Sequence, residues 1–135
     1  MQQARPPKGK LDIDAPPSAI GQLALSHASA YRERTLAGGV GRIIFLDRKA
    51  WKRIGVGSQH AVVAEDGRLR VEFEIRTRRR ERDVKLRVVF YDDQDNPVDV
   101  TPVVPYRFVP HYVKQVIVTA VVRDATRYIC LIADD

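Results

Sequence analysis

The residues best suited to catalysis in this sequence are three histidines, and they lie in three different contexts. His27 falls in a stretch with a helical pattern, His60 at the start of a strand pattern and His111 in a turn. Metal sites usually place two ligands at a short fixed spacing on one element, which these residues do not do. The sequence also contains no G-x-S-x-G elbow and no Cys-His signature. We therefore predict that the protein is not an enzyme.

An acidic turn, DDQDN at residues 92–96, is the second feature with chemical potential. Clustered oxygens suit a hard cation such as calcium. The segment lacks the glycine and the closing glutamate of an EF-hand loop, however. Asp92, Asp93 or Glu74 would have to meet in space to form an acid-base pair, which the sequence leaves open. We expect neither a metal nor a cofactor and interpret the segment as a turn between strands.

The chain has an unusual excess of basic residues. It carries 23 Lys and Arg residues against 17 Asp and Glu residues, giving a net charge of +6 and a pI near 9.8. Arginine favours planar, bidentate partners such as carboxylate or phosphate. This balance permits a nucleic-acid, anionic-lipid or acidic-protein partner without choosing among them, and codon usage alone also produces arginine-rich sequences.

Two segments concentrate this charge: the loop TRRRERD at 77–83 and the run DRKAWKR around Trp51. A like-signed cluster on a β scaffold is an electrostatic footprint for phosphates, and an aromatic among cations can stack a base. The alternatives are a solvated loop or a contact to an acidic protein surface, and a tryptophan that anchors a linker on the domain. The candidate contact residues are Arg76, Arg78, Arg79, Arg80, Arg82, Trp51, Lys52 and Arg53.

Two strands hold the arginine loop. Apolar and charged residues alternate from 68 to 76 and again from 84 to 90, which is typical of strands with one buried and one exposed face. The segment between them is too polar to be buried. The two strands therefore form either a β-hairpin or a connection between two sheets.

The pattern predicts further strands on both sides of this pair, at 59–64, 98–108, 113–122 and 126–132. Pro102 and Pro105 make the second of these an edge strand, because proline cannot donate to a central ladder. In the last strand Cys130 shares a face with Tyr128 and Ile132, so we interpret it as a small core residue. As the only cysteine, it excludes an intramolecular disulfide.

The first forty residues lack this strand pattern. Residues 1–17 contain two Pro-Pro pairs and few large apolar groups, which predicts an extended arm outside the core. A weak helical pattern runs from Ser18 to Leu36, with Ser18 as the N-cap and two glycines as the stop. We predict an extended Pro-rich arm with a short helix at 1–40, a linker or short strand at 41–55, and a β-sandwich domain at 56–135.

Short strands joined by turns, with no helices between them, are typical of an antiparallel sandwich or barrel. A chain of 135 residues amounts to one domain and is stable without disulfides or metals. We predict a mainly β fold: an antiparallel immunoglobulin-like β-sandwich with an extended N-terminal arm and a short helix.

The order of these motifs resembles the YcfL-like family of small bacterial β-sandwich proteins. The shared features are a D-G-R-L-x-V-x-F-x-I strand, a V-x-L-R-V-V-F-Y-D strand, a turn near N-P-V and a final pair of β-branched strands. The residues that carry the resemblance are Asp66, Gly67, Leu69, Val71, Phe73, Ile75, Val84, Leu86, Val88, Phe90, Tyr91, Asp92, Pro97, Tyr106 and Leu131. Members are usually envelope lipoproteins without an established activity, which implies a periplasmic or envelope location.

The sequence shows no lipobox cysteine near its start, no apolar leader core in MQQARPPKGK and no membrane-length apolar window. We therefore expect no membrane span. If the family resemblance does not hold, the cytoplasm or a virion is the expected location.

Taken together, these features predict a non-catalytic structural or assembly protein. It would act through protein-protein contacts of its arm and arginine loop, in a homo- or hetero-oligomeric envelope, secretion or virion assembly. A long Pro-rich arm costs entropy to order, and binding to a neighbour would offset that cost. The alternative is a basic nucleic-acid-binding module that uses the 76–82 loop. Salt separates the two, because phosphate binding weakens steeply with ionic strength.

Overall fold

The computed structural model describes residues 11–26, 32–35, 40–77, 82–109 and 112–134. The helices are α1 (Pro17–Ser26) and α2 (Arg48–Arg53). The strands are β1 (Arg32–Thr35), β2 (Gly41–Phe45), β3 (Ile54–Val63), β4 (Leu69–Thr77), β5 (Arg82–Tyr91), β6 (Pro97–Val100), β7 (Val104–Phe108), β8 (Lys114–Thr119) and β9 (Arg127–Asp134).

The strands form two sheets, as predicted for a β-sandwich. The larger sheet has the order β1-β2-β9-β5-β6, and β7 pairs with β5 beyond the end of β6. The smaller sheet has the order β3-β4-β8. β2 and β9 run parallel, whereas an antiparallel sandwich was predicted. They lie far apart in the sequence, so the chain between them supplies the long crossover that a parallel pair requires.

The two alternating segments that flank the arginine loop are confirmed as strands β4 and β5. They belong to different sheets, so their connection passes from one sheet to the other rather than forming a hairpin. Their apolar residues face each other across the main core. Examples are Phe73 of β4 and Leu86 and Phe90 of β5, all buried.

A second core lies on the opposite face of the large sheet, where α1 and the segment before it cover the strands. Leu11, Ile13 and Ala15 are buried there, together with Ile20 and Ala24 of α1. The central strand β9, RYICLIAD, is therefore apolar on both faces, as expected of a strand covered on both sides. Cys130 is fully buried on the face toward the small sheet, as predicted.

The prediction that residues 1–17 stay outside the core is wrong for residues 11–15; residues 1–10 lie outside the described residues. The segment LDIDA alternates apolar and acidic residues, so its Leu11, Ile13 and Ala15 point into the second core while its aspartates stay exposed. This alternation spans only five residues, and the prolines on either side of it favoured the prediction of an extended arm.

The helix predicted over 18–36 is too long. It begins at Pro17, so Ser18 lies inside it, and the carbonyl of Pro16 accepts from the N–H groups of Ala19 and Ile20 at 2.8 and 2.9 Å. It ends at Ser26, and residues 32–35 form β1 at the edge of the large sheet. RERT has no apolar helical face, so pairing with β2 determines its structure.

The segment 41–55, predicted as a linker or short strand, is an integral part of the sandwich. Its strand β2 lies between β1 and β9, and Ile43, Ile44 and Phe45 are buried. Helix α2 then leads directly into β3, which begins at Ile54 rather than near residue 59.

Candidate functional sites: a basic end and an open sheet edge

The described residues of the two basic segments lie at one end of the β3–β4 strand pair. Arg53 ends α2 and is followed at once by β3, whose Ile54 lies opposite Thr77 of β4 and whose Gly55 lies opposite Arg76. Arg53 and Arg76 therefore lie at the same end of this strand pair. Arg82 is described only as the first residue of β5, and residues 78–80 lie outside the described residues.

Trp51 is held on one side and exposed on the other. Its ring packs edge-to-face on Phe45 with a centroid separation of 5.1 Å, and 40% of the residue remains exposed. Asp47 caps α2 by accepting from the Ala50 N–H at 2.7 Å, which fixes the helix that carries Trp51, Lys52 and Arg53. The indole thus anchors α2 on the sandwich and still presents a surface among cations.

Two further arginines reach this end from β1, and the sequence reading missed them. The guanidinium of Arg32 lies 6.0 Å from the centroid of the Trp51 ring, at the outer limit of a cation-π contact. Arg34 donates to the backbone carbonyl of Val56. Their i, i+2 spacing places both on one face of a strand. They were missed in the sequence because a helix was predicted over the segment that contains RERT. We call Arg32, Arg34, Trp51, Lys52, Arg53 and Arg76 the basic end.

The second candidate surface is the outer edge of β8. Inside the small sheet β8 pairs with β4, with Val116 opposite Phe73. The N–H of Ala120 donates to the Leu69 carbonyl at 2.8 Å. Because antiparallel residues alternate in the neighbour they address, the backbone groups of Gln115, Ile117 and Thr119 point away from β4. Among the described strands none pairs with that edge.

A groove runs beside this edge, between β8 and the β6–β7 edge of the large sheet. It encloses about 310 Å³, with Phe73, Leu86 and Val88 of the main core among its lining residues. At one end Asp99 accepts from the Val121 N–H at 2.8 Å. At the other, Lys114 Nζ lies 4.8 Å from the centroid of the Tyr106 ring. The groove thus reaches down to side chains of the main core along this side.

The chain around β8 also exposes large apolar side chains. The exposed apolar residues between positions 109 and 121 are Val109, Tyr112, Val113, Ile117 and Val121. We call them the apolar flank. Exposed apolar groups concentrated beside an unpaired strand edge mark an interaction surface. The sequence predicted a β-branched strand here but gave no sign that it would lie at an edge.

The other outer strands carry features that protect an edge. The β6–β7 edge contains Pro97, Pro102 and Pro105, which cannot donate to a ladder. β3 is irregular between Val56 and Gln59, and such bulges weaken edge pairing. β1 is only four residues long and strongly charged.

Among the described residues considered for catalysis, Cys130 belongs to the core and His60 lies on the surface. Burial raises the pKa of the Cys130 thiol, which keeps it protonated and unreactive. His60 is exposed on β3, while His27 and His111 lie outside the described residues. Within the described ranges no three His, Cys, Asp or Glu side chains group closely enough to hold a metal ion.

The acidic turn uses its oxygens to hold its own backbone. Asp92 Oδ1 accepts from the N–H groups of Gln94 and Asn96, both at 2.9 Å. The hydrogen bond from the Asn96 backbone is the main cause that lowers the pKa of Asp92. Asp95 takes a positive φ of 62° in this turn, which aspartate tolerates better than most residues.

One buried charge belongs to the fold rather than to a site. Arg87 is 4% exposed and donates to the carbonyls of Ile13 at 2.8 Å, of Ala15, and of Thr101 at 3.0 Å. Desolvation lowers its pKa, and the nearby carboxylates of Asp14 and Asp12 oppose that shift. Arg87 therefore ties the segment before α1 to the large sheet.

The fold defines this chain as a small two-sheet β-sandwich with a helical cover on one face, and two solved structures are similar to part of it. Campylobacter jejuni cj0090 matches with a TM-score of 0.58 at 16% identity, over 69% of this chain and 97% of that one. A DUF1425 family member from Shewanella sp. pv-4 matches with a TM-score of 0.52 at 18% identity, over 58% of this chain and 75% of that one. At these identities the likeness is one of fold, and it fits a DUF1425-like family in outline.

Neither a protein-family model nor a curated protein sequence matches this chain. In the part of the chain that the structure describes, the helices are too short to cross a membrane.

Proposed function

We propose that this chain is a non-catalytic assembly protein that acts through protein-protein contacts, with the open edge of β8 and the apolar flank as its main contact surface. The observation that carries the proposal is the coincidence of an unpaired strand edge, a groove reaching the main core and exposed apolar side chains on one segment. Strand addition to such an edge supplies backbone hydrogen bonds, and pockets for alternate side chains supply specificity.

The proposal moves the contact surface away from the N-terminal arm. Leu11, Ile13 and Ala15 are buried in this chain's own second core, so the apolar side chains of this segment are not free to pack against a neighbour. The arginine loop stays a second contact element, because its flanking residue Arg76 is exposed at the basic end. The YcfL-like resemblance supports a bacterial envelope setting, and secretion or virion assemblies use the same kind of contact.

Site-specific photo-crosslinking in cells that naturally make the protein tests this proposal. A photoreactive residue replaces Tyr112, which is 71% exposed on the apolar flank, or Val63, which is 70% exposed at the end of β3. We expect discrete protein adducts from position 112 and at least tenfold less adduct from position 63. Equal adducts from both positions, or none from position 112, would contradict the proposal.

A second candidate function is nucleic-acid binding at the basic end. The observation in its favour is the strand register that places Arg76 at the same end of the β3–β4 pair as Arg53, near a half-exposed Trp51. Cations supply the phosphate contacts, and an indole face supplies a stacking platform. A fluorescently labelled oligonucleotide, single- or double-stranded, serves as the probe in a salt titration.

The matched variants remove two cations each. The double variant Lys52→Ala/Arg76→Ala removes two cations from the basic end. The double variant Arg70→Ala/Arg123→Ala removes the same charge at the opposite end of β4, where Arg70 lies about 20 Å along the strand from Arg76. If the candidate is correct, only the first pair weakens binding and lowers its salt dependence. Equal weakening by both pairs would indicate attraction by net charge alone.

A further inference from the structure

We infer that the open edge of β8 pairs with β8 of a second copy of this chain, antiparallel about a two-fold axis at Ile117. The inference rests on the proposed function and names its partner. It joins the two small sheets into one continuous sheet across the dimer, so that the same surface serves both copies.

The alternating direction of the backbone N–H and C=O groups along β8 fits this register. The backbone groups of Gln115, Ile117 and Thr119 point away from β4, because the Ala120 N–H is directed to Leu69. An axis at Ile117 sets Ile117 opposite its own copy and Gln115 opposite Thr119. From Gln115 to Thr119, residues with outward-pointing backbone groups then face one another, as a hydrogen-bonded antiparallel pair requires.

The side chains are self-complementary about the same axis. In the segment VKQVIVTAV, 113–121, Val113 corresponds to Val121 and Val116 to Val118. Gln115 and Thr119 are both polar and uncharged. On the outer face of the sheet the exposed Ile117 side chains meet at the axis, and apolar β-branched pairs of this kind stabilise neighbouring strands.

Charge does not oppose the pairing. Lys114 is the only charged residue of this segment, and the register sets it opposite Ala120 rather than opposite its own copy. Like charges directly opposite one another would destabilise a strand pair. On the inner face, Val116 and Val118 of the second copy lie toward the groove beside β8, which is lined by apolar core residues.

Cysteine cross-linking of the full chain tests the register. In a hydrogen-bonded antiparallel pair the opposing Cα atoms lie about 5.5 Å apart, within the range of a disulfide. Ile117→Cys should therefore form a disulfide-linked dimer under mild oxidation. Gln115→Cys and Thr119→Cys alone should not, because each lies about 13 Å along the strand from its own copy. An equal mixture of these two variants should cross-link.

The native cysteine does not interfere, since Cys130 is fully buried. We expect at least tenfold more linked dimer from Ile117→Cys than from either other single variant. No excess for Ile117→Cys, or stronger linking of Thr119→Cys alone, would overturn the inference.

Sedimentation velocity over a concentration series gives an independent measurement. Ile117→Lys sets two ammonium groups opposite one another and should abolish the dimer. Val62 is exposed on β3, on the same outer face of the small sheet as Ile117. Val62→Lys should leave the dimer unchanged. A wild-type chain that stays monomeric at every concentration would overturn the inference. If Tyr112 then still cross-links to a different protein in cells, the proposed function stands; if it does not, both fail.

Discussion

Tyr128 of β9 lies across Gly41 of β2, where the two strands pair in parallel. A Cβ atom built on Gly41 overlaps the tyrosine ring, so the ring occupies space that only glycine leaves. The Tyr128 hydroxyl accepts from Gln59 Nε2 of β3 at 2.9 Å, and this hydrogen bond is buried. The pair thus links the large sheet to the small one through a single side chain.

We expect Gly41→Ala to lower the free energy of unfolding by about 1–3 kcal/mol, because the ring or the strand must move. Urea unfolding followed by circular dichroism measures the change. Gly55→Ala is the matched control in β3: there the nearest atoms to an added Cβ belong to the flexible Arg76 side chain, at 3.4 Å. Equal effects of the two substitutions would show that the ring at position 128 is free to adapt.

Local patterns predicted β4 and β5 well, because alternation reports directly which face of a strand is buried. Which sheet each strand joins depends on pairing between distant residues, and the sequence left that open. In LDIDA at 11–15, apolar and acidic residues alternate over only five positions. The neighbouring prolines therefore led to the prediction of an extended arm outside the core. RERT at 32–35 has no apolar face of its own, so only its pairing with β2 makes it a strand.

In the candidate sites, too, the sequence indicates the residue types, whereas pairing between distant strands determines where they lie. The basic residue types were visible in the sequence, but their meeting at one end follows from the register of Ile54 with Thr77. The β-branched run at 113–122 was also visible. Its position at an unpaired edge follows from the sheet order, which no local pattern contains.

Arg87→Met should destabilise the protein by about 3 kcal/mol, since it removes the buried donor to the carbonyls of Ile13, Ala15 and Thr101. Urea unfolding measures the stability. Hydrogen exchange should show faster exchange in residues 11–15, which the guanidinium holds. Arg70→Met, at an exposed position of β4, is the control and should change stability by less than about 1 kcal/mol. Unchanged exchange at 11–15 would show that burial of Leu11 and Ile13 alone holds this segment.

Asp92→Asn should reduce stability at neutral pH but not in acid. Hydrogen bonds from Asn96 and Gln94 hold the pKa of Asp92 below its usual value. The stabilisation is therefore complete above the unfolded pKa, about 3.9, and is lost as the pH falls through the lower folded pKa. The difference in unfolding free energy between wild type and variant should be largest at pH 6 and should shrink as the pH falls below about 3.9. Asp93→Asn controls for the loss of one charge, and a constant gap across pH would contradict the linkage.

Cys130 should resist alkylation in the folded protein. Its side chain is fully buried in the middle of β9, and desolvation raises its pKa, so the reactive thiolate is scarce and inaccessible. Iodoacetamide at pH 8 followed by mass spectrometry should show modification only as fast as the chain unfolds, and rapid modification in urea. Val63→Cys supplies an exposed thiol in the same chain as the positive control. Modification of Cys130 at a rate independent of added urea would mean that the core opens locally around β9 without global unfolding.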